Sequence, residues 1–274
     1  MRLVIILLAI TSVCTENCSI FDGEKYSKRS ALTIKGLPTN LVINPINRDL
    51  LFTLIDIESL QSDDVQTKMD QYIVRGGEPI KIDNINGQAA AVDAENNKVY
   101  IATDDGLSVL NKTNKASFIG FKGDDITQLF KPASNDKLYA VLYPDSEVYE
   151  IDLVTNEKSR VENVPCAFMI AVDEKENVYY ECESKFVKML LKGFQEAIEF
   201  VGIPKNSARA MAIDTHGRVV LAANDGLYWL RPDTLIPRKL MDLDFVPSGL
   251  AFFENSIFLA TSGVIYEFSG NCEN

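Results

Sequence analysis

Histidine is nearly absent from this 274-residue sequence, in which His216 is the sole example. Nucleophilic serine and cysteine hydrolases need a histidine as general base, and many transition-metal sites use histidine ligands. His216 lies in the polar centre of AIDTHGRVVLAA, between two apolar segments, where we expect it to turn the chain. The sequence therefore offers no base for triad-type hydrolysis and no histidine-based metal site.

Clusters of lysine and arginine are also missing, and the formal net charge is −12. Nucleic acids and anionic membranes are themselves negatively charged, so neither is an expected partner. The sequence contains no phosphate-binding P-loop and no glycine-rich dinucleotide motif. We therefore predict no cofactor, no nucleic-acid partner and no membrane partner, and we expect a monomer.

Long hydrophobic runs are confined to the beginning of the chain, MRLVIILLAITSVC. A basic residue precedes the apolar segment Leu3–Ile10, and the small residues Ser12 and Cys14 suit the positions before a cleavage site. A membrane anchor is the alternative, but a bilayer span needs ~20 apolar residues. Residues 1–15 are therefore predicted to be a signal peptide, and residues 16–274 a single secreted, extracellular domain.

Cysteine is scarce, but its number is even once the predicted signal peptide is removed. Cys14 leaves with that segment, and Cys18, Cys166, Cys182 and Cys272 remain. An even number in an oxidising compartment indicates two disulfides. No Cys-x-x-Cys pair occurs, which disfavours a cysteine-only zinc site.

Two sequons for N-glycosylation are present, at Asn17 and at Asn111. Both asparagines are predicted glycan sites in a secreted protein. Asn111 is the stronger candidate, because early disulfide pairing of Cys18 would hinder modification of Asn17.

Two segments of the chain repeat one pattern. Residues 91–110 read AVDAENNKVYIATDDGLSVL, and residues 212–230 read AIDTHGRVVLAANDGLYWL. Each has Ala-(Val/Ile)-Asp, a polar turn, an apolar strand, Asp-Gly-Leu and another strand. Weaker copies occur at 42–54, 130–142, 171–184 and 251–268, so the chain contains six copies.

The spacing of the copies predicts a β-propeller. The apolar positions that begin the second strand of each copy are Leu51, Val99, Leu138, Val178, Val219 and Ile257, with intervals of 48, 39, 40, 41 and 38 residues. A period near 40 made of short strands is typical of propeller blades. We therefore predict an all-β fold with six blades, in which the polar stretch 57–71 is a loop that lengthens the first interval.

The last copy ends after its third strand, at Phe268, so the ring needs a strand from elsewhere. We expect the segment Lys25–Ile34 to supply it within the last blade, which would bring Cys18 next to Cys272. The other two cysteines, Cys166 and Cys182, lie nearly opposite each other across a hairpin centred near residue 175, so they are predicted to form the second disulfide.

One segment, SKFVKMLLKGFQEAIEF at 184–200, has the appearance of a helix. Its place in the repeat predicts instead the third and fourth strands of a blade, with Gly193 in the turn between them.

Propellers usually bind ligands at one end of the central channel, where the innermost strands begin. Thr39 and Asn86 are expected near this end. The predicted binding residues are Asn40, Gln88, Asp104, Asp125, Gln128, Tyr143, Phe168, Arg209, Phe245 and Ser248. This set is largely neutral and polar, with one arginine and several aromatic residues, and it suits a small aromatic or amphoteric molecule; plain solvated channel lining is the alternative.

The remaining acids are expected to turn the chain. Asp93, Glu95, Asp173, Glu174 and Asp214 lie on the first hairpins, at the face away from the usual site. We predict no catalytic residue and no metal ligand. A hard-cation site made of the oxygens of Asp104, Asp125, Asn40 and Asn224 stays open as the basis of a hydrolase alternative.

Taken together, these features resemble the insect ommochrome-binding proteins, which are secreted haemolymph carriers of tryptophan-derived pigments. The resemblance rests on the signal peptide followed by Asn17-Cys18, on the 91–110 segment, on NDGLYWL and on Asn271-Cys272 near the end. It implies a pigment carrier of the haemolymph, with a propeller related to gluconolactonase-like and regucalcin-like proteins. Those relatives bind calcium with an acid, an Asn and an Asp, whereas the innermost strands here begin with Gln, Arg and Ser.

Three hypotheses about function follow from the sequence. The first is a non-enzymatic carrier that binds a small aromatic pigment, such as an ommatin, in the channel. The second is a calcium-dependent lactonase or esterase of the gluconolactonase-like class. The third is a protein-interaction propeller that uses its acidic rim.

Overall fold

The computed structural model describes residues 18–59, 67–270 and 272, which form 25 β-strands and no α-helix. The strands make six antiparallel sheets, and each innermost strand contacts the innermost strands of both neighbouring sheets, which closes a ring. The predicted all-β, six-bladed propeller is thereby confirmed. The predicted signal peptide (1–15) and the sequon asparagine at 17 lie outside the described residues.

The first three blades use consecutive strands, numbered from the channel outward. Blade 1 contains β3 (Leu37–Ile43), β4 (Leu50–Ile55), β5 (Met69–Arg75) and β6 (Glu78–Lys81). Blade 2 contains β7 (Gly87–Asp93), β8 (Lys98–Thr103), β9 (Gly106–Leu110) and β10 (Ala116–Gly120). Blade 3 contains β11 (Asp125–Phe130), β12 (Lys137–Tyr143), β13 (Glu147–Asp152) and β14 (Lys158–Arg160).

The last three blades follow the same plan until the chain closes the ring. Blade 4 contains β15 (Met169–Val172), β16 (Val178–Cys182), β17 (Phe186–Leu190) and β18 (Ile198–Glu199). Blade 5 contains β19 (Ala208–Ile213), β20 (Val219–Ala223), β21 (Gly226–Trp229) and β22 (Arg238–Asp242). Blade 6 contains β23 (Gly249–Phe253), β24 (Ser256–Thr261), β25 (Val264–Gly270), β2 (Glu24–Thr33) and β1 (Ser19–Phe21).

The second strand of a blade is buried on both faces, because the neighbouring blades cover it from both sides. Every residue of β16 and of β20 is buried. In β16, Tyr180 packs among residues of blade 3, whereas Tyr179 packs among residues of blade 5. This two-sided packing explains why the second strands are apolar at consecutive positions.

The seam in blade 6 agrees with the prediction. The N-terminal strand β2 pairs antiparallel with β25, from Tyr26 opposite Gly270 to Thr33 opposite Val264, within one residue of the predicted segment. The Cys18–Cys272 disulfide forms beside it, with a Cα–Cα distance of 5.9 Å. The additional edge strand β1, which pairs with β2, was not anticipated.

The other local predictions can be compared with the structure in blade 4. The Cys166–Cys182 disulfide forms, with a Cα–Cα distance of 5.3 Å. The segment 184–200 contains β17 and β18 and no helix, and Gly193 has a φ of 81° in the turn between them. Only a residue without a Cβ adopts this conformation without strain.

Two further predictions concern the loop between β4 and β5 and the turn after β9. Residues 57–59 and 67–68 are irregular, as predicted for the first long interval, but β5 already begins at Met69, so the predicted loop ends three residues too late. Asn111 lies exposed in the turn after β9, and its Oδ1 accepts a hydrogen bond from the Thr113 hydroxyl at 2.7 Å. Glycosylation of Asn111 stays a prediction.

No helix among the described residues has the length and apolar character to span a membrane.

Candidate functional site

A cavity of about 640 Å³ lies on the axis of the ring, inside the six innermost strands. Its wall is apolar, with Val42 and Ile43 from β3, Met211 from β19 and Phe252 from β23. Short side chains in β7 and β19, among them Ala210, leave open the space that leucine or phenylalanine would fill. A volume in this range suits a small organic ligand.

The end of the cavity where the innermost strands begin is lined by polar residues, and we name it the amide mouth. Its members are Thr39, Asn40, Gln128, Phe168, Arg209 and Ser248. Since all six innermost strands run in the same direction along the axis, their first residues meet at this end. The opposite end, lined by Asp93, Glu95, Asp173 and Glu174, is named the acidic mouth.

A chain of amide hydrogen bonds joins blades 1, 2 and 3 at the amide mouth. Asn40 Nδ2 donates to the Gln88 carbonyl oxygen at 2.7 Å, and Gln128 Nε2 donates to Asn40 Oδ1 at 2.9 Å. Gln88 Nε2 donates to Asp125 Oδ1 at 2.5 Å. Asn40 adopts a left-handed conformation, with a φ of 49°, which asparagine tolerates better than most residues. The chain holds these amides in one arrangement.

Blades 4, 5 and 6 supply the other side of the amide mouth. The Phe168 ring is 51% exposed there, and its backbone N–H donates to the Glu181 carbonyl at 3.0 Å. Arg209 Nε donates to Asn224 Oδ1 at 2.7 Å, and Arg209 Nη2 donates to the Asn206 carbonyl at 3.0 Å. Ser248 Oγ donates to the Pro38 carbonyl at 2.6 Å.

The structure brings only part of the predicted binding set together. Asn40, Gln128, Phe168, Arg209 and Ser248 line the cavity. Gln88 and Asp125 are bonded to this group through the amide chain without lining the cavity themselves.

Three predicted residues lie apart from the cavity. Phe245 packs away from it, 5.4 Å from the Tyr266 ring, with Lys28 Nζ 4.6 Å from its own ring. Its loop therefore turns the ring onto blade 6, which sequence spacing alone does not reveal. Tyr143 is 64% exposed at the end of β12, opposite Asp125. Asp104 accepts a hydrogen bond from Asn86 Nδ2 at 3.1 Å.

The acidic mouth corrects the expectation that the first hairpins lie away from the ligand space. Asp173 does turn the chain, since its Oδ1 accepts from the backbone N–H groups of Lys175 and Asn177, both at 2.9 Å. Asp93 likewise accepts from Asn96 Nδ2 at 2.8 Å. Both acids also line the cavity, because the channel runs through the ring from one face to the other.

Sequence reasoning missed one further residue near the amide mouth, Glu181 of β16. Its side chain is only 4% exposed, and its Oε1 has no hydrogen-bond partner among the described residues. Burial raises the pKa of Glu181 to about 7, while the charge of Arg209 acts to lower it. The sequence contains one indication of this residue, because Glu181 is an acid within the otherwise largely apolar strand segment VYYEC.

The residues that could hold a calcium ion do not fit one. The oxygens of Asn40, Asp125, Asp104 and Asn224 each accept a hydrogen bond from a neighbouring amide or guanidinium N–H, so positive hydrogens point at the acceptors that a cation would need. Within the described part of the chain, no three His, Cys, Asp or Glu residues are close enough to hold a metal ion.

Comparison with known proteins bears on the fold. No family model matches the sequence, and a search of curated proteins finds no match. Among solved structures, a gluconolactonase from Xanthomonas campestris is similar, with a TM-score of 0.69, 10% identity, and coverage of 93% of this chain and 94% of that chain. A candidate gluconolactonase has a TM-score of 0.67 and 12% identity, with coverage of 92% and 94%.

A third similar structure is an auxiliary nutrient binding protein from Bacteroides thetaiotaomicron. Its TM-score is 0.62 at 11% identity, and the match covers 92% of this chain and 76% of that chain. The TM-scores show a shared fold, and identities this low leave the function open.

Proposed function

We propose that the protein binds a small, largely apolar molecule non-covalently in the central channel and carries it without chemical change. The observation that carries this proposal is the cavity itself, which has largely apolar walls and polar residues toward its two ends. Such a site holds an apolar body by burial and orients it by a few polar contacts at the mouth. A nutrient-binding protein among the similar folds is consistent with a binding role.

The specific ligand that we propose is an aromatic, tryptophan-derived pigment of the ommatin type, transported in the haemolymph. This choice rests on the sequence resemblance, supported by the exposed Phe168 ring and the amide groups beside it. The two disulfides are typical of an extracellular compartment and support secretion as part of the proposal.

The test is a titration of the purified protein with oxidised ommatin, followed by the visible absorption spectrum and by co-elution on gel filtration. We expect a spectral shift that saturates at one equivalent and is lost in Ala212→Phe, which fills part of the channel. Ala116→Phe, on the outer strand β10, is the matched control and should bind normally. Absence of a shift and of co-elution at micromolar protein would refute pigment binding.

The second candidate is a metal-dependent lactonase, favoured by the fold that the chain shares with the two gluconolactonase-type structures. Calorimetric titration with calcium, together with a panel of sugar and aliphatic lactones, distinguishes it from a carrier. Calcium binding with lactone turnover would replace the carrier proposal. Because the strand-start oxygens already accept hydrogen bonds from protein donors, we expect neither.

A further inference from the structure

Arg209 is a cation without a carboxylate partner at the amide mouth. Its two hydrogen bonds go to neutral oxygens, Asn224 Oδ1 and the Asn206 carbonyl. Among the described residues, no carboxylate oxygen lies within 4.0 Å of its guanidinium, and its Nη1 has no hydrogen-bond partner. This is unusual in a chain with a net charge of −12, where acids are plentiful.

Arg218 of the same blade is, by contrast, an arginine that is paired with two acids within the protein. It lies between Asp214 and Asp22, with one N–O distance of 2.6 Å to each, and its side chain is largely buried. Arg209, in contrast, is exposed and lines the cavity. Its neutral partners fix the position of the guanidinium while leaving its charge and several N–H groups available to a ligand.

A buried acid from the neighbouring blade, Glu181, interacts electrostatically with Arg209. Glu181 follows Tyr179 by two positions in β16, so both side chains lie on the face that packs against blade 5. Arg209 is the charged residue that acts on the Glu181 carboxyl. Because one oxygen of that carboxyl has no hydrogen-bond partner among the described residues, the group is not locked into a structural ion pair.

We infer that the molecule bound in the channel carries an acidic group, which Arg209 binds at the amide mouth, and that Glu181 is a positioning residue whose negative charge competes for Arg209. This inference rests on the proposed channel binding and adds the chemical class of the ligand: an apolar body with a carboxylate or sulfonate-type anion at one end. Burial of an anion against arginine is favourable because the hydrogen bonds are charge-assisted.

Titration of Glu181 gives the site a pH dependence with a defined sign. Burial raises the pKa of this carboxyl to about 7, so it is neutral in mildly acidic solution and ionised in mildly basic solution. Arg209 is the charged group that acts on this pKa. Other charged side chains around β16, among them Lys137 of β12, Lys188 of β17 and Glu183 in the turn after β16, are not among its causes. Anion binding should therefore weaken as the pH rises through about 7.

The test uses two fluorescent probes with the same aromatic body. Anilinonaphthalene sulfonate carries an anion, and phenylnaphthylamine is the same ring system without it. Both should bind the purified protein with enhanced fluorescence, and both should lose binding in Ala212→Phe. Arg209→Gln should weaken the sulfonate probe about tenfold and leave the neutral probe unchanged, as expected for loss of a hydrogen bond between charged groups. Lys205→Gln removes one positive charge from the loop that precedes β19 and is the matched control.

The outcomes distinguish failure of the anion site at Arg209 from failure of the channel-binding proposal on which it rests. If the neutral probe binds in the channel but Arg209→Gln leaves the sulfonate affinity unchanged, channel binding stands and the anion site is refuted. If neither probe binds in a manner that Ala212→Phe abolishes, the channel proposal fails and the anion site fails with it.

Glu181→Gln tests the positioning role separately. It should tighten binding of the sulfonate probe at pH values above about 7, flatten the pH profile of that binding, and leave the neutral probe unaffected. A purely structural role for Glu181 would change both probes together, or neither. A sulfonate profile that keeps its pH dependence in Glu181→Gln contradicts the role.

Discussion

The two mouths of the channel are made of polar residues at the ends of the same strands, yet their side chains have different partners. At the acidic mouth, Asp173 and Asp93 accept hydrogen bonds from their own hairpins. At the amide mouth, Asn40 and Gln128 bond across blades, and the hydrogen bonds of Arg209 go to neutral oxygens. The acids Asp173 and Asp93 are thus engaged within their own hairpins, whereas the guanidinium of Arg209 is the group that the proposed ligand would bind.

Substitution of Asp173, at the acidic mouth, should destabilise the protein more than any other substitution considered. Asp173→Ala should lower the free energy of unfolding by about 4 kcal/mol, because it leaves two backbone N–H groups and the buried Tyr179 hydroxyl without their acceptor. Urea denaturation measures this loss. Asp173→Asn, which keeps one acceptor oxygen, should recover part of it. A loss below about 1 kcal/mol would show that this hairpin does not depend on the carboxylate.

The next largest effect should come from Glu181, and it depends on pH. A folded-state pKa of about 7 against an ordinary value of 4.5 means that the stability associated with the protonated carboxyl is complete below 4.5 and is lost as the pH rises through 7. At about 1.4 kcal/mol per pH unit, the wild-type protein should lose about 3 kcal/mol across this range.

Glu181→Gln should remove that loss, so the variant should be the more stable protein in basic solution. Denaturation at a series of pH values measures the effect. Glu183→Gln, two residues further along and exposed, is the matched control and should keep the wild-type profile. If Glu181→Gln also keeps the wild-type profile, the buried carboxyl is not the titrating group.

A smaller effect is expected within the amide chain. Asn40→Ala removes the donor to the Gln88 carbonyl and the acceptor for Gln128, and it places alanine at a φ of 49°. We expect a loss of about 1.5 kcal/mol in the free energy of unfolding. Asn40→Gly removes the same hydrogen bonds without the backbone strain and should lose less. If both variants are equally destabilised, the left-handed conformation of Asn40 costs nothing.

The smallest change in the free energy of unfolding is expected for Asp104, and this residue also tests whether the ligand site reaches blade 2. Asp104 is exposed and bonds to Asn86 within its own blade. Asp104→Ala should change the free energy of unfolding by no more than about 0.5 kcal/mol, and it should not alter binding of either probe. Loss of probe binding in this variant would extend the amide mouth toward blade 2.

The repeat in the sequence predicts which residues lie near the start of each innermost strand, and several of these residues line the amide mouth. Sequence reasoning misplaced Phe245, whose ring turns onto Tyr266 and Lys28. It also placed Asp93 and Asp173 at the face away from the usual site, and the structure shows that they line the other end of the same cavity. A repeat predicts where a backbone position lies in a blade, but the direction of a loop side chain depends on the neighbour that it meets.

The ring, its seam and its two disulfides could all be predicted from the sequence. The period near 40, the apolar second strands and the placement of the four cysteines are all properties of one chain read in order, and each blade forms mostly from residues adjacent in that order. Which polar groups of the channel are hydrogen-bonded or paired within the protein follows from the packing of the blades. Arg209 and Glu181 belong to different blades, and their charge, burial and hydrogen bonding depend on how those blades pack together. No local pattern encodes that packing, because partners across a blade interface are set by the closed ring.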